Sequence, residues 1–548
     1  MSVKPEKSTA KCELPRAKNQ ATSNSQSETF LSHMLPLYTA AQMRRTDAAA
    51  IDGLGIPGVV LMERAGLAVA EYLLENYCDE HCFVILAGKG NNGGDGFVAA
   101  RHLLEAGAGV RVLATAPAGD YSGDALVNLK VLKKMGLKVD HAPSAVTLRQ
   151  ALAGDCVVID AIFGTGFSGE PRGKAAEFIS AAAEAGAAGD IPVVAIDVAS
   201  GVDASTGEAA ANSLAADATV TFHAPKVGHF VSPGGYLSGD VILSDIGIPE
   251  DCGAAADHFL IDPELLAAVI PAKTEAGNKF SAGRVLVAGG STGLTGAACM
   301  ASEAALRAGA GVVTAAVPAS LNPVFEQKLL EVMTLPLADA GAGCLLEDDA
   351  GRLFDAAAAF DSVALGPGMG RRPESFTLAR KFLAAAPSPV VLDADGLNAM
   401  AGRLPALKKR PGPTVLTPHA GELGRLLGIS SDEVAAHRLR HARSAARKSG
   451  GVIVLKGAQT VVTDGDVVLV NPSGNPGLAT AGAGDVLTGL IAALLAKGLP
   501  PLLAAAAGVF LHGAAADLAA EDLNQDNLVA SDLLDYLPLA FAQIHEQE

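Results

Sequence analysis

The chain has no tryptophan, aromatics are only 4% of its 548 residues, and basic residues are outnumbered, with 41 Lys and Arg against 59 Asp and Glu. A core without large rings must be built from Ala, Val, Leu and Ile, which suits sheets covered by closely packed helices. The formal charge of −18 repels phosphate backbones, so nucleic acid is excluded as a main partner, and any phosphate-bearing ligand must be held by local backbone dipoles. The seven cysteines are scattered, with no Cys-x-x-Cys pair, and Cys78 and Cys82 have no nearby set to complete a zinc site. They read as free thiols in a reducing compartment. The longest apolar stretch, 498–511, is broken by Pro500 and Pro501 and is too short to span a bilayer. Residues 1–30 are polar and do not read as a secretory signal, so the expectation is a soluble cytoplasmic protein with no membrane partner.

What is present is a rhythm. Residues 1–36 lack periodicity and are expected to be a disordered tail. From Leu37 onward, short β-rich runs alternate with Ala-rich helical stretches. Candidate strands are 83–86, 110–114, 156–160, 193–197 and 219–222, followed after a pause at 248–257 by 284–288, 312–317, 362–365, 390–393, 415–416 and 452–455. They are continuous apolar runs, as in strands buried on both faces. Strand–helix alternation at this spacing predicts parallel sheets with helices on both sides. The length fits two α/β domains, of roughly 210 and 290 residues, and the glycine motifs of the two halves show no internal repeat.

In the first half, strand 83–86 runs into a loop containing Asn91, Asn92, Gly93, Gly94 and Asp95, then a helix. Glycines placed there let successive N–H groups and a helix N-terminus face an anion. Strand 156–160 ends at Asp160 before Gly164, Thr165, Gly166, Phe167, Ser168, Gly169 and Glu170. Strand 193–197 ends at Asp197, three residues before Ser200. Ligands of open parallel sheets bind outside the carboxyl ends of strands, where these aspartates would sit. Each aspartate could equally cap a turn. Asn92, Asp160 and Ser200 together could offer hard oxygen ligands to a cation.

These loops, with Tyr38-Thr39-Ala40-Ala41-Gln42-Met43 before them, resemble the NAD(P)H-hydrate epimerase family over residues 37–250. The resemblance implies a Rossmann-like αβα sandwich that interconverts the R and S forms of hydrated NADH and NADPH. It implies that residues 91–95 and 164–170 cradle the substrate, that Asp197 contacts the damaged ring as a catalytic group, and that Asn92, Asp160 and Ser200 bind potassium. Ala199 stands where the family usually has proline.

The second half carries a fifteen-residue run, 475–489, that contains Gly484 and Asp485 and opens an apolar helix. Small residues let backbone N–H groups close on phosphate there, and a carboxylate beside them can take a proton from an attacking hydroxyl. Upstream lie turns around Ala297, Gly368 and Gly370, Asp393-Ala394-Asp395, and His419 with Glu422, then Lys456, Gly457, Ala458, Gln459 and Thr460. The combination resembles the NAD(P)H-hydrate dehydratase family over residues 257–548, with a ribokinase-like α/β fold. The resemblance implies that Ala297, Gly368, Gly370, His419 and Asp485 hold the S hydrate. It implies that Lys456, Gly457, Ala458, Gln459, Thr460 and Gly484 meet the nucleotide, and that Asp485 is catalytic. ADP with magnesium is the expected phosphate donor, although the residues themselves do not separate ADP from ATP. Asn278 stands where many relatives carry histidine. A homo-oligomer is the expected assembly. The alternatives are a ribokinase-like vitamin or sugar kinase with an appended domain, and a first domain that only binds nucleotide.

Overall fold

The computed structural model describes residues 31, 33–77, 82–189 and 191–545. Most of the expected tail lies outside the described residues. Of the rest, Met34 is buried among second-domain side chains such as Ile261 and Leu266, and Pro36 bridges to Phe259. The described residues therefore begin by fastening onto the second domain before the chain enters the first.

Two sheets organise the molecule. The first contains β1 (Cys82–Ala87), β2 (Gly109–Ala114), β3 (Val139–His141), β4 (Cys156–Ala161), β5 (Val193–Ile196), β6 (Ala218–Phe222) and β7 (Asp240–Ser244). Their order is β3-β2-β1-β4-β5-β6-β7, all parallel. The second contains β8 (His258–Leu260), β9 (Arg284–Ala288), β10 (Val312–Pro318), β11 (Met333–Leu337), β12 (Ser362–Leu365), β13 (Val390–Leu392), β14 (Thr414–Leu416), β15 (Val452–Leu455), β16 (Val461–Thr463) and β17 (Val468–Val470). Their order is β11-β10-β9-β12-β13-β14-β15-β16-β17-β8. Only β15–β16 and β16–β17 pair antiparallel.

The sequence shows no repeat, yet the first seven places of the second sheet follow the strand order of the first. Each sheet reverses its winding once, between β1 and β4 and between β9 and β12, and such a switch point opens a crevice at the strands' carboxyl ends. At each crevice a glycine is required by close approach. A Cβ on Gly88 would sit 2.0 Å from the Ile162 carbonyl, and one on Gly289 would sit 2.1 Å from that of Pro367.

Central strands such as Val84, Ile85 and Leu86, or Val285, Leu286 and Val287, are wholly buried, because helices cover both faces. The helix Pro501–Leu523 extends past the apolar stretch marked by the sequence and reaches 23 residues. It is long and apolar enough to cross a membrane, but 89% of its most apolar window is buried inside the protein. Leu37, Val227 and Val231, from the first domain's side of the chain, sink into the second domain's core. Burying each such side chain contributes about 1.5–3 kcal/mol to holding the halves together.

Candidate active sites

The first site is a cavity of about 1060 Å³ at the β1/β4 switch point. Asn91, Asn92 and Asp95 line it from the helix Asn91–Glu105, and Gly164, Thr165, Gly166, Phe167, Ser168 and Glu170 line it from the loop after β4. Asp197 faces it from the end of β5. Gly93 and Gly94 serve the packing of the helix start instead, since a Cβ on Gly93 would meet the Gly88 carbonyl at 2.0 Å. Gly169 turns the loop with φ +81°.

Asn92, Asp160 and Ser200 come together around Phe163. Ser200 donates to Asp160 through its N–H and its hydroxyl, both at 2.7 Å. The Phe163 N–H donates to Ser200 Oγ at 3.0 Å, and Asn92 Nδ2 donates to the Phe163 carbonyl at 2.7 Å. Asn92 Oδ1 is buried with no hydrogen-bond partner. Burial pushes the Asp160 carboxyl up to about 6, against the hydrogen bonds that favour its ionised form. A buried carboxylate, a hydroxyl and an orphaned amide oxygen are a donor set that fits a hard cation.

Asp197 has φ +67°, a left-handed conformation rare for a residue with a side chain. Its Oδ2 accepts the Thr165 N–H at 3.1 Å. Its Oδ1 meets the ammonium of Lys226 at 2.7 Å. Burial alone would raise Asp197, but Lys226, both as a charge and as a donor, outweighs it and holds the carboxyl below the ordinary range. Asp95 goes the other way. Burial, then the neighbouring charges of Asp197 and Asp47, push it well above the usual carboxylate range.

Lys226, His229 and Asp47 are absent from the sequence-based site. Lys226 left one trace: it is the sole lysine or carboxylate between Asp217 and Asp240.

The second site gathers at the carboxyl ends of β12 to β15. Lys456 Nζ lies 3.0 Å from Asp393 Oδ1 and 3.7 Å from Glu422 Oε2. A Cβ on Gly484 would lie 3.1 Å from that same Nζ, which puts the start of the helix Ala483–Ala496 against the lysine. Burial, with Asp393 as the nearest like charge, pushes Asp485 up to about 7. Gly368 backs onto Ala297, and the Gly370 N–H donates to Asp395 Oδ2 at 3.0 Å. His419 caps the helix Ala420–Leu427, with its Nδ1 accepting the Gly421 N–H at 3.0 Å, while its N–H donates to Glu422 Oε2 at 3.0 Å. Asp393, Asp395 and Glu422 stood in the sequence turns but were not among the residues assigned roles.

The loop after β15 has a second attachment. Arg438 donates to the carbonyls of Ala458 and Gln459, and Thr460 Oγ1 donates back to the Gly457 carbonyl at 2.9 Å. The Gln459 side chain accepts from Ser232 of the first domain and packs on Gly235. His512 donates to the Ala483 carbonyl at 2.9 Å from a buried place.

Comparison with known proteins closes the question of kinship. The family model described as YjeF-related protein N-terminus matches residues 58–228, and the one described as NAD(P)H-hydrate dehydratase matches 285–539. The bifunctional NAD(P)H-hydrate repair enzyme of Moorella thermoacetica is 43% identical over 93% of this chain and 97% of its own length. The chain belongs to that family of bifunctional NAD(P)H-hydrate repair enzymes. The repair enzyme of Thermofilum pendens is 36% identical over 92% of this chain and 96% of its own. A solved structure of the Bacillus subtilis ADP/ATP-dependent NAD(P)H-hydrate dehydratase is 31% identical, covers 52% of this chain and 98% of that one, and has a TM-score of 0.45. The first matched region takes in β1 to β6 and the second runs from β9 to β17, so each includes the switch point of its sheet.

Proposed function

We propose that the first domain interconverts the R and S forms of hydrated NADH and NADPH, and that the second removes water from the S form at the expense of ADP, yielding AMP and phosphate. The observation that carries this reading is the opposite bias of two carboxyls at two crevices. Asp197 is held ionised by Lys226, while Asp485 titrates near neutral pH. A group with a pKa near the working pH combines a useful ionised fraction with enough basicity to take a proton. In this scheme Asp485 takes the hydroxyl proton as the hydrate oxygen attacks the terminal phosphorus of ADP. The bond from that phosphorus to AMP breaks, the phosphorylated oxygen departs as phosphate with its electron pair, and the adjacent ring carbon gives up a proton to water, whose C–H electrons form the double bond that restores the dihydronicotinamide ring.

In the first domain, Asn92, Asp160 and Ser200 would hold potassium, which would supply fixed positive charge beside the substrate loop. Residues 91–95 and 164–170 would cradle the substrate while Asp197 handles the proton. In the second, Ala297, Gly368, Gly370 and His419 would contact the S hydrate, and Lys456, Gly457, Ala458, Gln459, Thr460 and Gly484 the nucleotide, with magnesium on its phosphates. The same reading makes the protein a cytoplasmic homo-oligomer.

The test is to supply hydrated NADH with ADP or ATP and follow the absorbance of reduced nicotinamide, with AMP and phosphate measured alongside. Recovery with ADP, with one AMP and one phosphate formed per turnover, is the expected result. Recovery with ATP alone would overturn the choice of donor, and accumulation of a stable phosphorylated product would mark a kinase instead.

A further inference from the structure

The backbone between β6 and Ser232 folds back beneath Asp197. Lys226 is 1% exposed, and its ammonium has three partners: Asp197 Oδ1 at 2.7 Å, Thr221 Oγ1 at 2.7 Å and the Phe222 carbonyl at 3.1 Å. All three ammonium protons are thereby spent, which anchors the charge. Three residues on, His229 fixes the main chain of the same aspartate. The Lys226 N–H donates to His229 Nδ1 at 3.1 Å, so the ring proton is on Nε2, which donates to the Asp197 carbonyl at 2.8 Å. One short segment thus holds both the strained backbone of Asp197 and one of its two carboxylate oxygens. The other oxygen, Oδ2, lies on the side of Thr165 and Gly164, where a Cβ on Gly164 would be 3.0 Å from it.

We propose that Lys226 is the positioning residue of the first site: its ammonium occupies Asp197 Oδ1 and leaves Oδ2 as the atom that takes the proton of the substrate hydroxyl as the adjacent ring C–N bond opens, its electron pair passing to the nitrogen, and returns it to the oxygen as that bond re-forms on the opposite face. The inference rests on the epimerase reading of this cavity. A lysine this buried costs desolvation, and it is tolerated where a carboxylate and further acceptors compensate it. The charged groups facing Asp197 are Lys226, His229, Asp95 and Asp47, drawn from every element around it. His229 stays neutral, its pKa depressed to about 4 by burial and by Lys226, so Lys226 supplies the positive charge. The Asp197 charge instead pushes Asp95 and Asp47 toward their neutral forms, which leaves Lys226 as the charge that decides the ionisation of Asp197.

The experiment uses the full chain as wild type, Lys226→Met and Lys226→Arg. R/S exchange of hydrated NADH is followed by NMR from pH 5 to 9, with dehydration of the S form as a check that the protein is folded. In Lys226→Met, kcat for exchange should fall about 10²-fold at neutral pH and an acid limb, absent from the wild type over this range, should enter it, with KM changed less than about twofold. Lys226→Arg should keep the flat wild-type acid side. A Lys226→Met enzyme with the same flat acid side as wild type would overturn the proposal. Carbon-13 NMR of aspartate-labelled wild type, assigned with Asp197→Asn, gives a readout independent of activity. An Asp197 carboxyl that titrates in or above the ordinary range overturns the proposal even if Lys226→Met does not fold. An Asp197 that titrates below it, in a wild type that catalyses no exchange, upholds the positioning role and overturns the epimerase reading.

Discussion

At one topological place the two domains carry the same pair of groups. Asp197 follows β5 and Asp393 follows β13, strands that occupy equivalent positions in their sheets. Each is bound by a lysine, at 2.7 Å from the buried Lys226 and at 3.0 Å from the half-buried Lys456. In the first domain that paired aspartate itself faces the cavity. In the second, the pair is joined by Glu422 and by the helix Ala483–Ala496, which adds Asp485 next to charges already matched. Burial first, and then the charge of Asp393, push Asp485 up to about 7, and the opposing pull of Lys456 does not offset them. One device, a lysine on a strand-end aspartate, gives an ionised carboxylate in one crevice and a near-neutral one in the other. The difference lies in what the second domain adds to the pair.

The comparison is broken most sharply by removing Asp485. Asp485→Asn should lower dehydration of the S hydrate by about two to four orders of magnitude, because the amide keeps the shape and cannot accept the proton. R/S exchange should be unchanged, and nucleotide affinity should hold or rise with one negative charge gone. Steady-state rates and a nucleotide titration on the same preparation check this.

The pH profiles sharpen it next. Asp485 must be ionised to act, so kcat/KM for dehydration should rise with pH through an apparent pKa near 7. Exchange should show no such step, because Asp197 stays ionised to below the ordinary carboxyl range. Parallel acid limbs for the two activities would contradict the contrast drawn here.

Glycine substitution tests the shared plan. Gly88→Ala and Gly289→Ala each drive a Cβ to about 2 Å from a carbonyl oxygen, against backbone that cannot swing aside. Each should destabilise its own domain by about 1–3 kcal/mol, read as a lower unfolding midpoint in denaturant.

The smallest effect is on stability in mild acid. His229 in the first domain and His512 in the second are both depressed to about 4 by burial. An unfolded histidine takes its proton near 6.5, so between about 6.5 and 4 the unfolded chain binds more protons. Both domains should therefore lose stability as pH falls through that window and keep it above. His512→Gln should flatten the slope for the second domain alone.

Much of this was legible in the sequence. The central strands are apolar runs of four to six residues, such as Val193–Ile196 and Cys156–Ala161, and each is buried on both faces. The missed strands lie at edges or are short: β3 has three residues, β8 contains His258, and β11 contains Pro336. The shared strand order was hidden because topology is set by packing, while the loops that carry motif identity differ. Gly164, Asp197 and Asp485 announced themselves by standing at strand ends or a helix start. Lys226, by contrast, stands among apolar residues, where only the fold reveals that it reaches back across β6 to Asp197. The interdomain grip of Gln459 on Ser232, 227 residues apart, is likewise a property of tertiary structure alone.

The central claim is that two separable crevices act in series, and pure R hydrate tests it most directly. Supplied with ADP, Asp197→Asn protein should regenerate reduced nicotinamide about 10²–10⁴-fold more slowly than wild type, and Asp485→Asn protein should yield only a mixture of R and S forms. An equimolar mixture of the two variants should restore repair, because each contributes the site the other lacks. Full repair of the R hydrate by Asp485→Asn alone, or no restoration by the mixture when each variant keeps its remaining activity, would contradict the account.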